Sequence, residues 1–357
     1  MTHFYSLSVA GVQNLTTHSV AITFNVPAEL AAIFAFTAGQ YITLKHTING
    51  KEVRRAYSIS SAPVASGEQK DFTIGIKEVP SGAFSSYANR YIQKGDVLSV
   101  SPPQGRFTYV PEAGPIHLMG VAAGSGITPI LSIAESVLRS GADHLFTLIY
   151  GNKTLSDIMF SEKITDLQKQ YPEQFKLQWV FSQANETHAL FGRIDAAAIN
   201  YVLKHEEAAS FNGVYLCGPE VMIKTATETL ITKGIAAEAI HYELFTSVVG
   251  DKETQLIGQK ESDSGKISVA VTVDGETTLI EMDAKTILLD ALIKENIDAP
   301  YSCQGGVCSS CICKVTEGSA SMVKNQILTD SEIADGLVLS CQAMVTSASI
   351  AVDFDDV

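Results

Sequence analysis

Cys303-Gln304-Gly305-Gly306-Val307-Cys308-Ser309-Ser310-Cys311 sets three cysteines at C-x4-C-x2-C, and a fourth, Cys341, follows in Leu339-Ser340-Cys341-Gln342. This is the ligand spacing of a [2Fe–2S] cluster, whose two irons need four thiolates. Cys303, Cys308 and Cys311 share a loop long enough to wrap such a cluster, and Cys341 closes the cage from a distant segment. Gly305 and Gly306 carry no Cβ, so their backbone is free to approach the cluster and turn N–H groups toward sulfur. Cys313 follows in a β-like run and is expected to be buried, not a ligand. Structural zinc would ask for paired C-x2-C knuckles. A disulfide framework belongs to small secreted chains. The spacing favours the iron–sulfur cluster over both.

The remainder of the 357 residues is long enough for one or two further domains. A composition of 46% hydrophobic and 18% charged residues is ordinary for a globular protein. No apolar run reaches membrane-spanning length, and Met1-Thr2-His3-Phe4-Tyr5 has neither a basic nor an apolar leader region. Five of the six cysteines fall between 303 and 341. A reducing cytoplasm is therefore expected, with no membrane partner. The net charge is −14, and from Ser262 onward fifteen Asp and Glu stand against five Lys and no Arg. That acidity is either a solvated surface or a docking face for a basic patch on a redox partner. Nucleic acid is disfavoured, because phosphate would be repelled.

Residues 1–108 are rich in strand formers with glycine and proline punctuation, which predicts a small antiparallel barrel. Two stretches in it carry chemistry. In Arg55-Ala56-Tyr57-Ser58, the arginine can pair with a phosphate, the tyrosine can stack on a ring system, and the serine can hydrogen-bond at that ring's edge. Alone, these four residues more readily describe a plain strand. Ser81-Gly82-Ala83-Phe84-Ser85 leads a glycine turn into a predicted helix, either an anion site suited to pyrophosphate or an ordinary cap.

Past Ser101-Pro102-Pro103, the pattern changes to alternating strands and helices, which predicts a parallel sheet over 109–248. His117–Ala122 is a short apolar run. It feeds Ala123-Gly124-Ser125-Gly126-Ile127-Thr128-Pro129 and then a helix, the strand–glycine loop–helix order of a nucleotide site, with Pro129 expected at the first helical position. Ligands are expected at the carboxyl ends of the strands: Gly120–Thr128, Tyr150–Lys153, Ser182-Gln183 and Cys217-Gly218-Pro219. Cys217 by itself would be a buried small hydrophobe. Residues 249–265 form a polar linker, and 266–357 the cluster domain. There a strand enters the Asp274-Gly275 turn, and a helix follows from Thr286, capped by Asp283 or the Thr286 hydroxyl.

Arg55-x-Tyr57-Ser58, then Gly124-Ser125-Gly126-Ile127-Thr128-Pro129, then Cys217-Gly218-Pro219, in this order before the four cysteines, resemble the ferredoxin–NADP reductase superfamily. The C-terminal region resembles a plant-type ferredoxin. The whole arrangement resembles the reductase components of multicomponent oxygenases. The resemblance implies three folds in order: an antiparallel β-barrel flavin domain, an α/β parallel-sheet nucleotide domain and a β-grasp ferredoxin domain. It implies that Arg55, Ala56, Tyr57 and Ser58 hold FAD, with Gly82, Phe84 and Ser85 at its pyrophosphate. Gly124, Gly126, Thr128, Pro129, Gly218 and Pro219 would meet the nicotinamide nucleotide, and Cys217 would lie near the nicotinamide. Glu243 and Phe245 of His241-Tyr242-Glu243-Leu244-Phe245 would stand near the isoalloxazine. Lys153, with Arg193, would favour NADPH over NADH, although Gln183 departs from the arginine that a 2′-phosphate prefers.

A nicotinamide gives two electrons as hydride, whereas a [2Fe–2S] cluster takes one, so a flavin must divide the pair. The expected path is NADPH to FAD to cluster to an external oxygenase, a di-iron one. This chain has no pair of Glu-x-x-His motifs and no Rieske Cys-x-His spacing, so substrate oxidation falls to a different polypeptide. A reductase for another acceptor, or an electron-carrying module without nicotinamide activity, stands as the alternative.

Overall fold

The N-terminal segment alternates apolar and polar positions between glycine turns, and it folds as six antiparallel strands. These are β1 (Tyr5–Thr16), β2 (Ser19–Asn25), β3 (Tyr41–Ile48), β4 (Lys51–Ser58), β5 (Asp71–Lys77) and β6 (Val97–Val100). The computed structural model describes residues 3–64, 69–111, 113–245 and 266–357. The described residues form two compact units, 5–245 and 266–357. The expected linker, 249–265, lies outside the described residues.

The six strands run β4-β3-β6-β1-β2-β5, and an Ile59–Ile74 bridge beyond β4 joins the two ends into a barrel. Inward-facing Leu7, Ile22, Phe24, Ile42, Phe72 and Ile74 are wholly buried. Helix α1 (Ala83–Tyr91) packs Phe84 and Ala88 into the same core.

The second domain of this unit is a six-stranded parallel sheet. It comprises β7 (His117–Ala123), β8 (Leu145–Asn152), β9 (Phe175–Phe181), β10 (Ala189–Phe191), β11 (Gly213–Gly218) and β12 (Ile240–Leu244), in the order β10-β9-β8-β7-β11-β12. Between the strands lie α2 (Ile127–Ser140), α3 (Ser161–Gln170), α4 (Ala196–Val202) and α5 (Glu220–Thr232). The strand order reverses at β7, which places the ligand crevice at its carboxyl end. The barrel keeps its own core, and at its edge Ala38, Phe107 and Tyr109 join the core of the sheet, packing with Ile133 and Tyr215.

In the second unit, β13 (Lys266–Val273) and β14 (Glu276–Asp283) form a hairpin, with Asp274 and Gly275 at φ 53° and 74° as a two-residue turn requires. Then come α6 (Leu288–Lys294), β15 (Ile312–Glu317), β16 (Ala320–Met322), α7 (Asp330–Ala334), β17 (Leu337–Leu339), β18 (Ala343–Val345) and β19 (Ser349–Asp353). The sheet β14-β13-β19-β15-β17, with α6 against it, is a β-grasp.

Two local expectations differ from the structure. Pro129 is the third residue of α2, because a turn of 3-10 helix over Gly124–Gly126 moves the start to Ile127. No side chain caps α6; the Thr286 N–H bonds the Asp283 carbonyl instead.

Candidate functional site

β4 presents Arg55 and Tyr57 on one face and Ser58 on the other, as strand alternation demands. Tyr57 is half-buried against the Phe84 ring of α1, centroids 5.8 Å apart. Burial pushes its phenol well above the usual range, opposed by the Arg55 charge. Arg55 is exposed and donates from Nη1 to the Arg54 carbonyl; Ala56 is half-buried. No side chain caps the N-terminus of α1. Gly82 packs closely there: a Cβ would lie 2.5 Å from Ser85 Oγ and 3.0 Å from the Val79 carbonyl oxygen. Ser85, expected at a pyrophosphate, instead fastens the turn: its hydroxyl accepts from Val79 N–H at 3.1 Å and donates to the Gly82 carbonyl. What remains open to an anion is the uncapped first turn itself and the Arg55 guanidinium. With a half-buried aromatic ring beside them, these groups fit a flavin carrying phosphate.

The nucleotide loop is built by close approach. A Cβ on Gly126 would lie 2.2 Å from the Cys217 carbonyl oxygen, so only glycine lets α2 start against the end of β11. Gly124 has φ 54°, and its carbonyl accepts from Tyr150 Oη at 2.9 Å. Thr128, expected at the nucleotide, is wholly buried; its hydroxyl donates to the Ser125 carbonyl and its methyl faces Gly75 of the barrel. Pro129 is buried beside it, and Pro219 caps α5. Gly218, with φ 157°, packs close to Ala123. Lys153 is exposed after β8, where its carbonyl accepts from Gln183 N–H, and Arg193 is exposed after β10. Sequence reasoning passes over Lys77. It leaves the end of β5 with Nζ 3.5 Å from where a Gly124 Cβ would stand. Burial lowers its pKa, with Asp157 opposing and Lys153 adding to the shift. Nothing local marks it; only the packing of barrel on sheet brings it to the loop.

The two domains of this unit meet at Ser58, Glu243 and Cys217. Ser58 Oγ donates to Glu243 Oε2 at 3.2 Å. Glu243 pairs with Cys217 in the β11–β12 register, and Phe245 N–H bonds the Gly218 carbonyl. Burial pushes the Glu243 carboxyl up to about 7, the Ser58 hydrogen bond pulling the other way. The Cys217 thiol is wholly buried and is pushed well above the usual range, by burial first and the Glu243 charge second. At neutral pH the site thus holds a neutral thiol and a carboxyl poised to take or give a proton.

In the second unit the four predicted cysteines come together. Cys303 contacts Cys308 and Cys341, and Cys311 contacts Cys341. Cys303 is held well below the usual thiol range by hydrogen bonding from Cys308, which is correspondingly raised. Among the described residues no three His, Cys, Asp or Glu side chains gather around a single-ion position. The four thiols form one run of contacts, Cys308 to Cys303 to Cys341 to Cys311, and so supply the four thiolates that two irons need. Gly305 N–H donates to Cys303 Sγ at 3.3 Å. Gln304 and Gly306 take φ 54° and 70° to turn the loop, and a Cβ on Gly306 would meet the Lys324 carbonyl at 2.9 Å. Ser302 and Ser340 are wholly buried; the Ser302 hydroxyl lacks a partner among the described residues, and the Ser340 hydroxyl is directed at the Cys311 sulfur. Buried hydroxyl donors beside four converging thiols fit a cluster whose sulfurs accept hydrogen bonds. Cys313 is buried in β15, its thiol raised by burial.

Comparison with known proteins agrees with this geometry. Residues 6–109 match the oxidoreductase FAD-binding domain, 121–228 the oxidoreductase NAD-binding domain, and 271–346 the 2Fe-2S iron-sulfur cluster binding domain. The chain is 38% identical to one of the component chains of the 1,2-phenylacetyl-CoA epoxidase of Escherichia coli, over 99% of both chains. It is 31% identical to the ferredoxin reductase component of 3-ketosteroid-9-alpha-monooxygenase from Rhodococcus rhodochrous, over 98% of this chain and 96% of that one. The crystal structure of phthalate dioxygenase reductase has the same fold, with a TM-score of 0.64 at 23% identity over 98% of both chains. The chain belongs to the ferredoxin–NADP reductase family, in the branch that joins FAD-binding, NAD-binding and C-terminal [2Fe–2S] domains into an NAD(P)H-dependent oxidoreductase.

Proposed function

We propose that the protein carries electrons from NADPH to the oxygenase component of a phenylacetyl-CoA epoxidase. The observation that carries this reading is the end-to-end identity with a component chain of that enzyme, which leaves no domain of either chain unmatched. When bound, FAD supplies the exchange between a two-electron hydride and single electrons, and the cluster supplies one-electron carriage. The chain's own residues do the rest. Arg55 and the first turn of α1 hold phosphate, and Tyr57 orients the flavin ring. The glycine loop and Lys77 receive the nicotinamide dinucleotide, with Lys153 and Arg193 offering positive charge to a 2′-phosphate. Ser58 Oγ donates to Glu243 Oε2 at 3.2 Å, and the buried carboxyl can take up or release a proton between the flavin edge and the interdomain crevice. Cys217 is a neutral wall behind the nicotinamide, and Cys303, Cys308, Cys311 and Cys341 ligate the cluster. Exposed carboxylates on the cluster domain, among them Asp290, Glu295, Asp330 and Asp335, would steer a basic face of the oxygenase. Among the described residues no helix is long and apolar enough to cross a membrane.

Anaerobic titration of the holoprotein with NADPH, and separately NADH, tests the first half. Flavin bleaching and a rhombic [2Fe–2S]⁺ EPR signal should appear with less NADPH than NADH. Failure of both nucleotides would leave an electron-carrying module only. The second half is tested by reduction of purified epoxidase oxygenase, which should slow as salt rises; a salt-independent rate removes the acidic docking face. Faster turnover with a Rieske oxygenase would reassign the acceptor.

A further inference from the structure

FAD is longer than the site described so far. Arg55, Tyr57 and α1 account for its ring and phosphates but not for its adenine. In the β3–β4 ladder, Tyr57 stands opposite Ile42, Arg55 opposite Leu44, and Val53 opposite His46. Each of these steps advances about 6.7 Å along one face of the hairpin. A ring-stacking residue, a phosphate-pairing residue and then an imidazole follow in that order. Isoalloxazine, pyrophosphate and adenine follow in the same order along the cofactor.

Helix α1 runs beside this row and repeats it. Phe84 meets Tyr57; three residues on, Tyr87 meets His46, with centroids 4.7 Å apart and planes at 31°. Four residues further, Tyr91 meets Tyr87 at 5.5 Å and 36°. Spacings of three and four put these rings on one stripe of the helix. The stripe rises from the core to solvent: Phe84 is buried, Tyr87 and His46 are half-buried, and Tyr91 is 66% exposed. The nearby Glu52 is turned away, its carboxylate held by Arg54 on the opposite face of β4, and the helix's own Arg90 is engaged with Glu78. Tyr87 packs against the barrel core and Tyr91, the outermost ring, is exposed; three tilted rings with no carboxylate among them suit an uncharged, planar base.

We infer that His46, Tyr87 and Tyr91 form the platform on which the adenine of FAD stacks, so that these rings select FAD over FMN. The inference rests on the reading that Arg55 and Tyr57 hold the flavin, and the test separates the two. Apoprotein is titrated with FAD and with FMN, which lacks the adenosine, and binding is followed by quenching of flavin fluorescence. Tyr87→Ala and His46→Ala should each weaken FAD about 5- to 150-fold, the range of one base–aromatic stacking contact, and leave FMN affinity unchanged. Tyr87→Phe should retain FAD affinity. Tyr91→Ala, at an exposed position that folding does not need, should weaken FAD alone by a smaller factor. Parallel loss of FAD and FMN in the alanine variants would make the rings structural supports, and unchanged FAD affinity in all of them would remove the platform. Arg55→Ala should weaken both flavins; if it weakens neither, the flavin site itself is misplaced.

Discussion

At the scale of single residues, the clearest signal is a carboxyl buried where the two domains of the first unit meet. Glu243 is held near pH 7 because burial disfavours its charged form more than the Ser58 hydroxyl restores it. The consequence for stability has a definite sign. In the unfolded chain the group loses its proton around 4.5, whereas in the folded chain it keeps it to about 7. Its contribution is complete below the lower value and is lost as pH rises through the upper one. Apoprotein should therefore lose unfolding free energy across this window, and Glu243→Gln, neutral at every pH, should flatten that part of the curve. Urea unfolding at intervals from pH 4 to 9 would show this, and identical slopes for both proteins would contradict it. Cys217 illustrates the limit of reading residues singly. Its sequence offers only a thiol at a strand end, and its meaning comes from Glu243, a register partner on a strand that follows α5.

Among the elements, the glycine loop before α2 shows which sequence signals survive folding. The two glycines are legible because each answers a local demand, but the demands differ. Gly124 supplies a left-handed φ, whereas Gly126 supplies room against backbone atoms of β11. Gly126→Ala should therefore be the worse change. Overpacking of this kind typically costs about 1–3 kcal/mol, and here it would also push α2 away from Cys217, so hydride-driven flavin reduction should fall with it. Stopped-flow reduction and melting of the two alanine variants would rank them, and a milder Gly126→Ala would mean the loop yields freely. The cysteine spacing is equally legible, since one loop fixes three of the four predicted ligands. The short edge strand β10 and the cap of α4 by Asp195, which accepts from Ala198 N–H, are hidden in the sequence because neither carries a periodic apolar pattern. Motif position alone gives Ser85 and Thr128 to ligands. Both hydroxyls serve their own turns, a choice that depends on rotamers the motif does not encode.

For the molecule as a whole, the division into two units carries the functional prediction. The barrel and the parallel sheet belong to one compact unit and meet at Ser58 and Glu243, so a change at that seam should reach both the flavin and the nicotinamide sites. The β-grasp unit has its own core, to which Cys311 and Cys341 contribute alongside Val269, Leu292 and Val352. Loss of a ligand should therefore damage the second unit and leave the first intact. Cys308→Ser should abolish the cluster's visible and EPR spectra and all reduction of the oxygenase, while flavin bleaching by NADPH keeps its wild-type rate. Cys313→Ser is the control, because that thiol lies in β15 opposite Val338 and is not among the four contacting thiols. Its cluster spectrum should match wild type. Loss of the spectrum in Cys313→Ser would overturn the ligand set, and loss of flavin reduction in Cys308→Ser would mean that the two units depend on each other for folding or for cofactor retention.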